Sequence, residues 1–251
     1  MSKFILKQSV AIWYALTALL ATFIVGQVIL WCFPDGRSMG ASLLFILMNC
    51  IPMIVATVFS LVLSEINSLG EFLKKVFLQK ESNLYWMLAL FIPVIYYGFS
   101  ILLMNVCFTG NSLLAFFLYF PWTLLYGGLE EVGWRWFLQD HLSFSKYFIS
   151  KMMLLSVVWF LWHIPIYQLP WITAGSSNYL IFYLMILGNT FLFGALKEYS
   201  KGAVPCILAH MLIDSLAVLM LVQSSLPQII LLISFEILAA SWLVAIRKSE
   251  K

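Results

Sequence analysis

Charge is what this chain has least of. Only 10% of its 251 residues are Asp, Glu, Lys or Arg, against about 25% in an ordinary soluble domain. A net charge of +3 offers no basic surface for nucleic acid, and no nucleic-acid partner is expected. Cysteine is scarce too: Cys32, Cys50, Cys107 and Cys206 stand far apart in apolar runs with no CxxC pair. They read as four small buried hydrophobes, neither a disulfide frame nor a thiolate metal site. There is no repeat, no low-complexity tract and no second, soluble domain. The first apolar run, behind Lys3 and Lys7, is about 25 residues long and exceeds a signal-peptide core, so it reads as an uncleaved span.

What remains is hydrocarbon: 63% of the residues are hydrophobic and 17% aromatic. The expected fold class is all-α, one polytopic transmembrane bundle over 1–251. A crossing helix needs roughly 20 apolar residues. Eight stretches qualify, near 9–33, 41–64, 84–107, 113–139, 148–167, 178–196, 202–223 and 227–246. Turn chemistry separates them, at Pro34-Asp35-Gly36, Thr109-Gly110-Asn111-Ser112, Ala174-Gly175-Ser176-Ser177-Asn178, Lys201-Gly202 and Ser224-Ser225-Leu226-Pro227.

Of the 14 basic residues, 12 fall at one set of ends: Lys3, Lys7, Lys74, Lys75, Lys80, Lys146, Lys151, Lys197, Lys201, Arg247, Lys248 and Lys251. Arg37 alone lies on the other side, and Arg135 is inside a span. Lys/Arg-rich short loops stay cytoplasmic, so both termini are expected there, which an even helix count matches. The expected setting is an integral protein of a bacterial cell membrane. Between spans two and three, Leu69, Phe72, Leu73, Val76 and Phe77 recur at helical spacing. They make either a short amphipathic helix on the membrane surface or an extension of span two.

Against that background Gly127-Gly128-Leu129-Glu130-Glu131-Val132-Gly133-Trp134-Arg135 demands an account, because an ionised group in hydrocarbon costs a few kcal/mol or more. Glu131 and Arg135 are four apart and pairable on one helix face, whereas Glu130 is rotated about 100° and aligns with Trp134. One carboxylate is thus held by arginine and the other is left for chemistry. The remaining ionisable groups within spans are His163, which shares a face with Trp159; His210, which shares one with Asp214; and Glu236. Asp214 can orient the His210 imidazole. Glu130 and His210 lie about 13 Å, and His163 about 18 Å, from the cytoplasmic boundary, so the three can share one plane. Gly127, Gly128 and Gly133 permit close approach of a backbone or a substrate, or serve helix packing. Pro165 and Pro205 either loosen the helices beside the histidines or, for Pro205, sit harmlessly in a first turn. Glu236 has Asn189 as one pairing candidate or else faces the cavity, and His141 reads as a solvated boundary residue.

Three patterns in order, Glu130-Glu131-x-x-x-Arg135, Trp159-x-x-x-His163 and His210-x-x-x-Asp214, resemble the CAAX protease and bacteriocin-processing family of intramembrane proteases, which includes the type II CAAX prenyl endopeptidases. The resemblance covers about 120–220. It implies eight helices and an active site in a cavity open toward the cytoplasm. Carried over residue by residue, it implies that Glu130 is the general base with His163 as its partner. His210 and Asp214 would stabilise the oxyanion, and Glu131, Arg135 and Trp159 would support the site. Two residues depart from the family pattern: Trp159 stands for phenylalanine, and Asp214 for the asparagine of the prenyl endopeptidases. An ionised carboxylate repels an oxyanion, so Asp214 either carries a proton, orients His210 or binds a metal. Glu130, His163 and His210 would also make a two-histidine, one-carboxylate zinc set. No other cofactor is implied.

The function expected is an intramembrane endopeptidase, in which Glu130 and His163 activate water against a peptide or lipidated protein, such as a prenylated CAAX-type chain end. Bacteriocin self-immunity or scaffolding by binding, and a proton-coupled transporter, are the alternatives.

Overall fold

In the computed structural model the described residues are 3–36, 38–142, 147–172, 178–222 and 225–249, with the side chains of 3–8 left aside. Arg37, Lys146, Lys251, the 173–177 turn, Ser224 and the Lys3 and Lys7 side chains, all used above, lie outside them. Six helices are long and apolar enough to cross a bilayer. They are α1 (Lys3–Cys32), α2 (Met39–Val62), α4 (Asn83–Leu102), α7 (Phe148–Tyr167), α8 (Tyr179–Tyr199) and α10 (Leu226–Ser249). The all-α membrane bundle stands, and the protein is integral to a membrane.

Three of the eight expected spans differ, the stretch read as 84–107 because its helix ends at Leu102 and Val106–Phe108 is a strand, β1. The stretch read as 113–139 is broken. α5 (Leu113–Thr123) runs into a π-helical segment, Leu124–Gly128, and a second, Val132–Leu138, precedes a single turn, α6 (Gln139–His141). The two halves are bent by 45°, and a seventh crossing exists only if they are taken together. The stretch read as 202–223 holds α9 (Val204–Leu216), 13 residues or about 20 Å, against a hydrocarbon core of about 30 Å. Beyond it the apolar run Met220–Val222 is a strand, β2, paired antiparallel with β1 (Val106–Phe108). Hydropathy alone cannot distinguish apolar helix from apolar strand, so the sequence overstates α9.

The link after α2 is a separate helix, α3 (Leu69–Val76), not an extension of α2. Ser68 caps it by accepting from Glu71 N, and Lys75 pairs with Glu71 at 2.8 Å. The Lys75 ammonium, aided by the Asn67 amide, holds the Glu71 carboxyl down at about 2. Its apolar stripe is seated on protein: Phe72 and Val76 are buried with Val132, Ile207 and Met211. The Val76 carbonyl accepts from Ala203 N at 2.9 Å, where Gly202 leaves room for it.

α8 is the most enclosed span and packs most extensively against α10, as α1 does against α2. Only Cys206 is buried. Cys32 and Cys107 are exposed and Cys50 is half-buried, so the expectation of four buried thiols fails. In hydrocarbon an exposed thiol loses nothing by facing outward.

Candidate active site

The site begins at the break. Glu130 and Glu131 occupy the short step between the two π-helical segments, where Leu129 N donates five residues back to the Leu124 carbonyl. Such wide turns are uncommon and concentrate at functional positions. The four-residue pairings persist in this geometry. Arg135 Nε donates to Glu131 Oε2 at 2.8 Å, and Trp134 Nε1 donates to Glu130 Oε2 at 3.0 Å. Both pairs are almost wholly shielded. Arg135 also reaches the Thr190 carbonyl at 3.4 Å and stands over the Trp159 and Phe193 rings.

Two indoles hold Glu130. Trp159 Nε1 adds a second donor to Oε2 at 3.3 Å, which leaves Oε1 turned toward His210 Nε2 at 3.4 Å. His210 is anchored from behind, its Nδ1 lying 2.9 Å from Glu131 Oε1. A carboxylate held by arginine can only accept, so Nδ1 carries a proton and Nε2 faces the site. The orienting partner of His210 is therefore Glu131. Asp214 Oδ2 stands 3.6 Å from Nε2, outside hydrogen-bonding range, and its side chain is 34% exposed. The two side chains share a face and meet as an ion pair, as the His210-x-x-x-Asp214 spacing predicts, but the orienting hydrogen bond comes from Glu131. Four-residue spacing brings two side chains near each other, but a shorter and better shielded bond from another helix decides which one orients the ring.

His163 is half-buried among Trp159, Trp162, Tyr167 and Phe182. Its Nδ1 donates to the Trp159 carbonyl at 2.8 Å, so Nε2 is left as an acceptor. Trp159 joins the two sides of the site, its indole on Glu130 and its carbonyl on His163. Among the described residues, the donors close enough to share one ion are Glu130, Glu131 and His210. The expected set of Glu130, His163 and His210 is not the one that gathers. Glu131 already satisfies Arg135 and His210, and Glu130 Oε2 already satisfies two indoles. These residues do not fit a resident zinc.

Residues 111–216 match a family model described as type II CAAX prenyl endopeptidase, Rce1-like. Over that stretch the chain is similar to the CAAX-protease family. That likeness supports a CAAX-type endopeptidase at family level, and the long apolar helices support its place in a membrane. No curated protein is similar enough to add a relative to that match. The Rce1-like stretch contains Glu130, Glu131, Arg135, Trp159, His163, His210 and Asp214, and it ends at the last residue of α9.

Several contacts around this segment carry little signal in the sequence. Thr123 Oγ1 lies 3.2 Å from Ser215 Oγ and 3.3 Å from the Met211 carbonyl, and ties α5 to α9. Tyr97 Oη donates to the Ile213 carbonyl at 2.9 Å and fixes the end of α9 from α4. A hydroxyl on an apolar helix is the only sequence signal for either. His141 is buried, not solvated: Nδ1 meets the Phe137 carbonyl at 2.8 Å and Nε2 meets Glu65 at 2.9 Å, 76 residues away. Glu236 does not pair with Asn189. Both carboxyl oxygens, and Asn189 Oδ1, lack a hydrogen-bond partner among the described residues. Pro205 sits in the first turn of α9, where it costs nothing.

The three glycines have distinct tasks. A Cβ on Gly133 would collide with Tyr14 Oη and Pro52, and one on Gly128 with Met211. A Cβ on Gly127 would fall on Asp214 Oδ2 and lie 3.1 Å from His210 Nε2. Gly127 is thus the floor on which the two α9 side chains rest. Gly127→Ala is expected to lower reporter cleavage at least tenfold with little loss of protein, and Gly127→Ala/Asp214→Ala to regain part of it. Wild-type cleavage by Gly127→Ala would show that the Gly127 floor is not needed.

Proposed function

We propose that the protein hydrolyses a peptide bond of a membrane-associated, lipidated substrate of the CAAX type, without a metal. The observation that carries this reading is His210 held between two carboxylates of unlike role, Glu131 at 2.9 Å behind it and Glu130 at 3.4 Å before it. Glu130 Oε1, left over by the two indoles, takes the proton of a water molecule as general base. His163 offers Nε2 as the acceptor that orients that water. His210, locked in position by Glu131, presents an Nε2 proton to the oxygen that becomes negative. Asp214, on the exposed edge, acts as the boundary facing substrate. Arg135 compensates the charge of Glu131, so the anchor of His210 survives each turnover. The buried rings of Trp134, Trp159 and Phe193 wall these groups, and their low dielectric strengthens every one of these interactions.

In this reading both termini face the cytoplasm, since 12 of 14 basic residues lie at that set of ends, and the substrate's chain end is delivered from the same side. The test is cleavage of a farnesylated C-terminal peptide by the protein in proteoliposomes, monitored by mass spectrometry. Release of a C-terminal fragment is expected. No cleavage of that peptide or of its unlipidated form would defeat the reading. The same assay after dialysis against 1,10-phenanthroline is expected to retain at least half the rate. Loss of activity that zinc restores would replace the metal-free mechanism by a metal-dependent one.

A further inference from the structure

A crevice runs along the bundle on the flank of α8 away from the catalytic cluster. It encloses about 330 Å³ between α4, α8 and α10 and is lined by apolar side chains alone, among them Leu88, Ile92, Leu192, Leu196, Ala239 and Leu243. α8 divides the two places. Phe193 faces His210, with ring centres 5.4 Å apart, whereas Leu192 and Leu196 face the crevice. An occupant of the crevice is therefore not in the peptidase site.

One end of the crevice is built differently. Arg247 follows Leu243 by one turn of α10. Its guanidinium donates to Tyr85 Oη at 3.3 Å and stands over the Tyr85 and Tyr199 rings at 5.9 and 5.2 Å. Tyr199 Oη in turn donates to the Leu243 carbonyl at 2.8 Å. Lys248 is exposed beside it, and Trp242 lines the crevice with most of its surface outward. Among the described acids at this end, Glu81 accepts from the Lys201 and Gly202 amides at 2.9 and 2.6 Å, and Glu198 from Gln139 at 3.3 Å. The rim is thus basic and aromatic, as at a membrane–water boundary.

We infer that this crevice holds one anionic phospholipid, an acyl chain along α4, α8 and α10 and the phosphate at Arg247 and Lys248. An all-apolar wall suits a hydrocarbon chain and disfavours a peptide, whose amides would go unsatisfied there. A cation positioned at the rim favours an anionic headgroup over a zwitterionic one, because each basic residue near the surface favours an anionic lipid by about fivefold.

Native mass spectrometry of the full chain in detergent, with phosphatidylglycerol or phosphatidylcholine of identical acyl chains, tests this. The wild type is expected to retain one phosphatidylglycerol after delipidation. Arg247→Gln should weaken that preference about fivefold, and Arg247→Gln/Lys248→Gln about 25-fold. Ala239→Phe, or the milder Ala239→Leu if the first fails to accumulate, fills the crevice and should abolish retention. Leu20→Phe, on the outward face of α1 (61% exposed), should not. Equal retention of both lipids, unchanged retention in the filled variants, or a dimer in place of a lipid adduct would each overturn the inference.

Discussion

Glu130→Gln is expected to lower reporter cleavage by about 10²- to 10⁴-fold, the range a positioned general base supplies, while the protein accumulates and unfolds as the wild type does. The substitution keeps the shape of the side chain, and the amide oxygen still accepts from Trp134 and Trp159. What is lost is the basic oxygen facing His210. Reporter cleavage in cells, together with purified yield, separates chemistry from folding. More than a tenth of wild-type activity in the Glu130→Gln variant would remove Glu130 from the role of base. Glu130→Asp is informative beside it: it restores the charge but draws it back by one methylene, and is expected to give intermediate activity.

The second large effect is structural. Arg135→Met leaves Glu131 fully buried with only His210 opposite, and breaking a buried ion pair from one side costs about 3–5 kcal/mol. The variant is expected to accumulate poorly and to expose buried Cys206 to thiol reagents at a temperature well below that of the wild type. Glu131→Leu/Arg135→Met removes the stranded charge together with its partner, and stability should return. Activity should not, because His210 then has nothing on Nδ1. Full activity in the double variant would show that Glu131 only neutralises Arg135 and plays no part in setting the imidazole. Normal stability in Arg135→Met would show that Glu131 is neutral without its arginine.

Much of this site was legible because helical spacing is a local rule. Glu131 with Arg135 and Glu130 with Trp134 meet as a four-residue interval predicts, even though the backbone there is π-helical. A side chain spans a modest change in winding, so the pairing survives an error in the helix type. What stayed hidden is set between helices. Nothing in the run around His210 says that Glu131, 79 residues earlier, will outcompete Asp214 four residues later. That outcome depends on how α9 is rotated against the bent segment. The bend is equally silent in the sequence: α5 and Val132–Leu138 form one apolar run, and apolarity does not encode the number of residues per turn. Asp214 illustrates the difference between nearness and a hydrogen bond, and so does the pairing of Glu236 with Asn189. Asp214 meets His210 as an ion pair at 3.6 Å without a hydrogen bond, and Glu236 and Asn189 share no hydrogen bond among the described residues.

The unpartnered carboxyl of Glu236 has a consequence for how the last helix enters the bundle. α10 has little preference of its own for any one side, since it is apolar almost all round. Its acid fits against α8 only where Gly188 lacks a side chain. Turned by a third of a revolution, the same carboxyl would lie in lipid, at a few kcal/mol. Glu236 therefore acts as a key cut for a single slot, and it fixes the rotation of α10 against α8. The rotation of the last helix is written in one acid and one glycine.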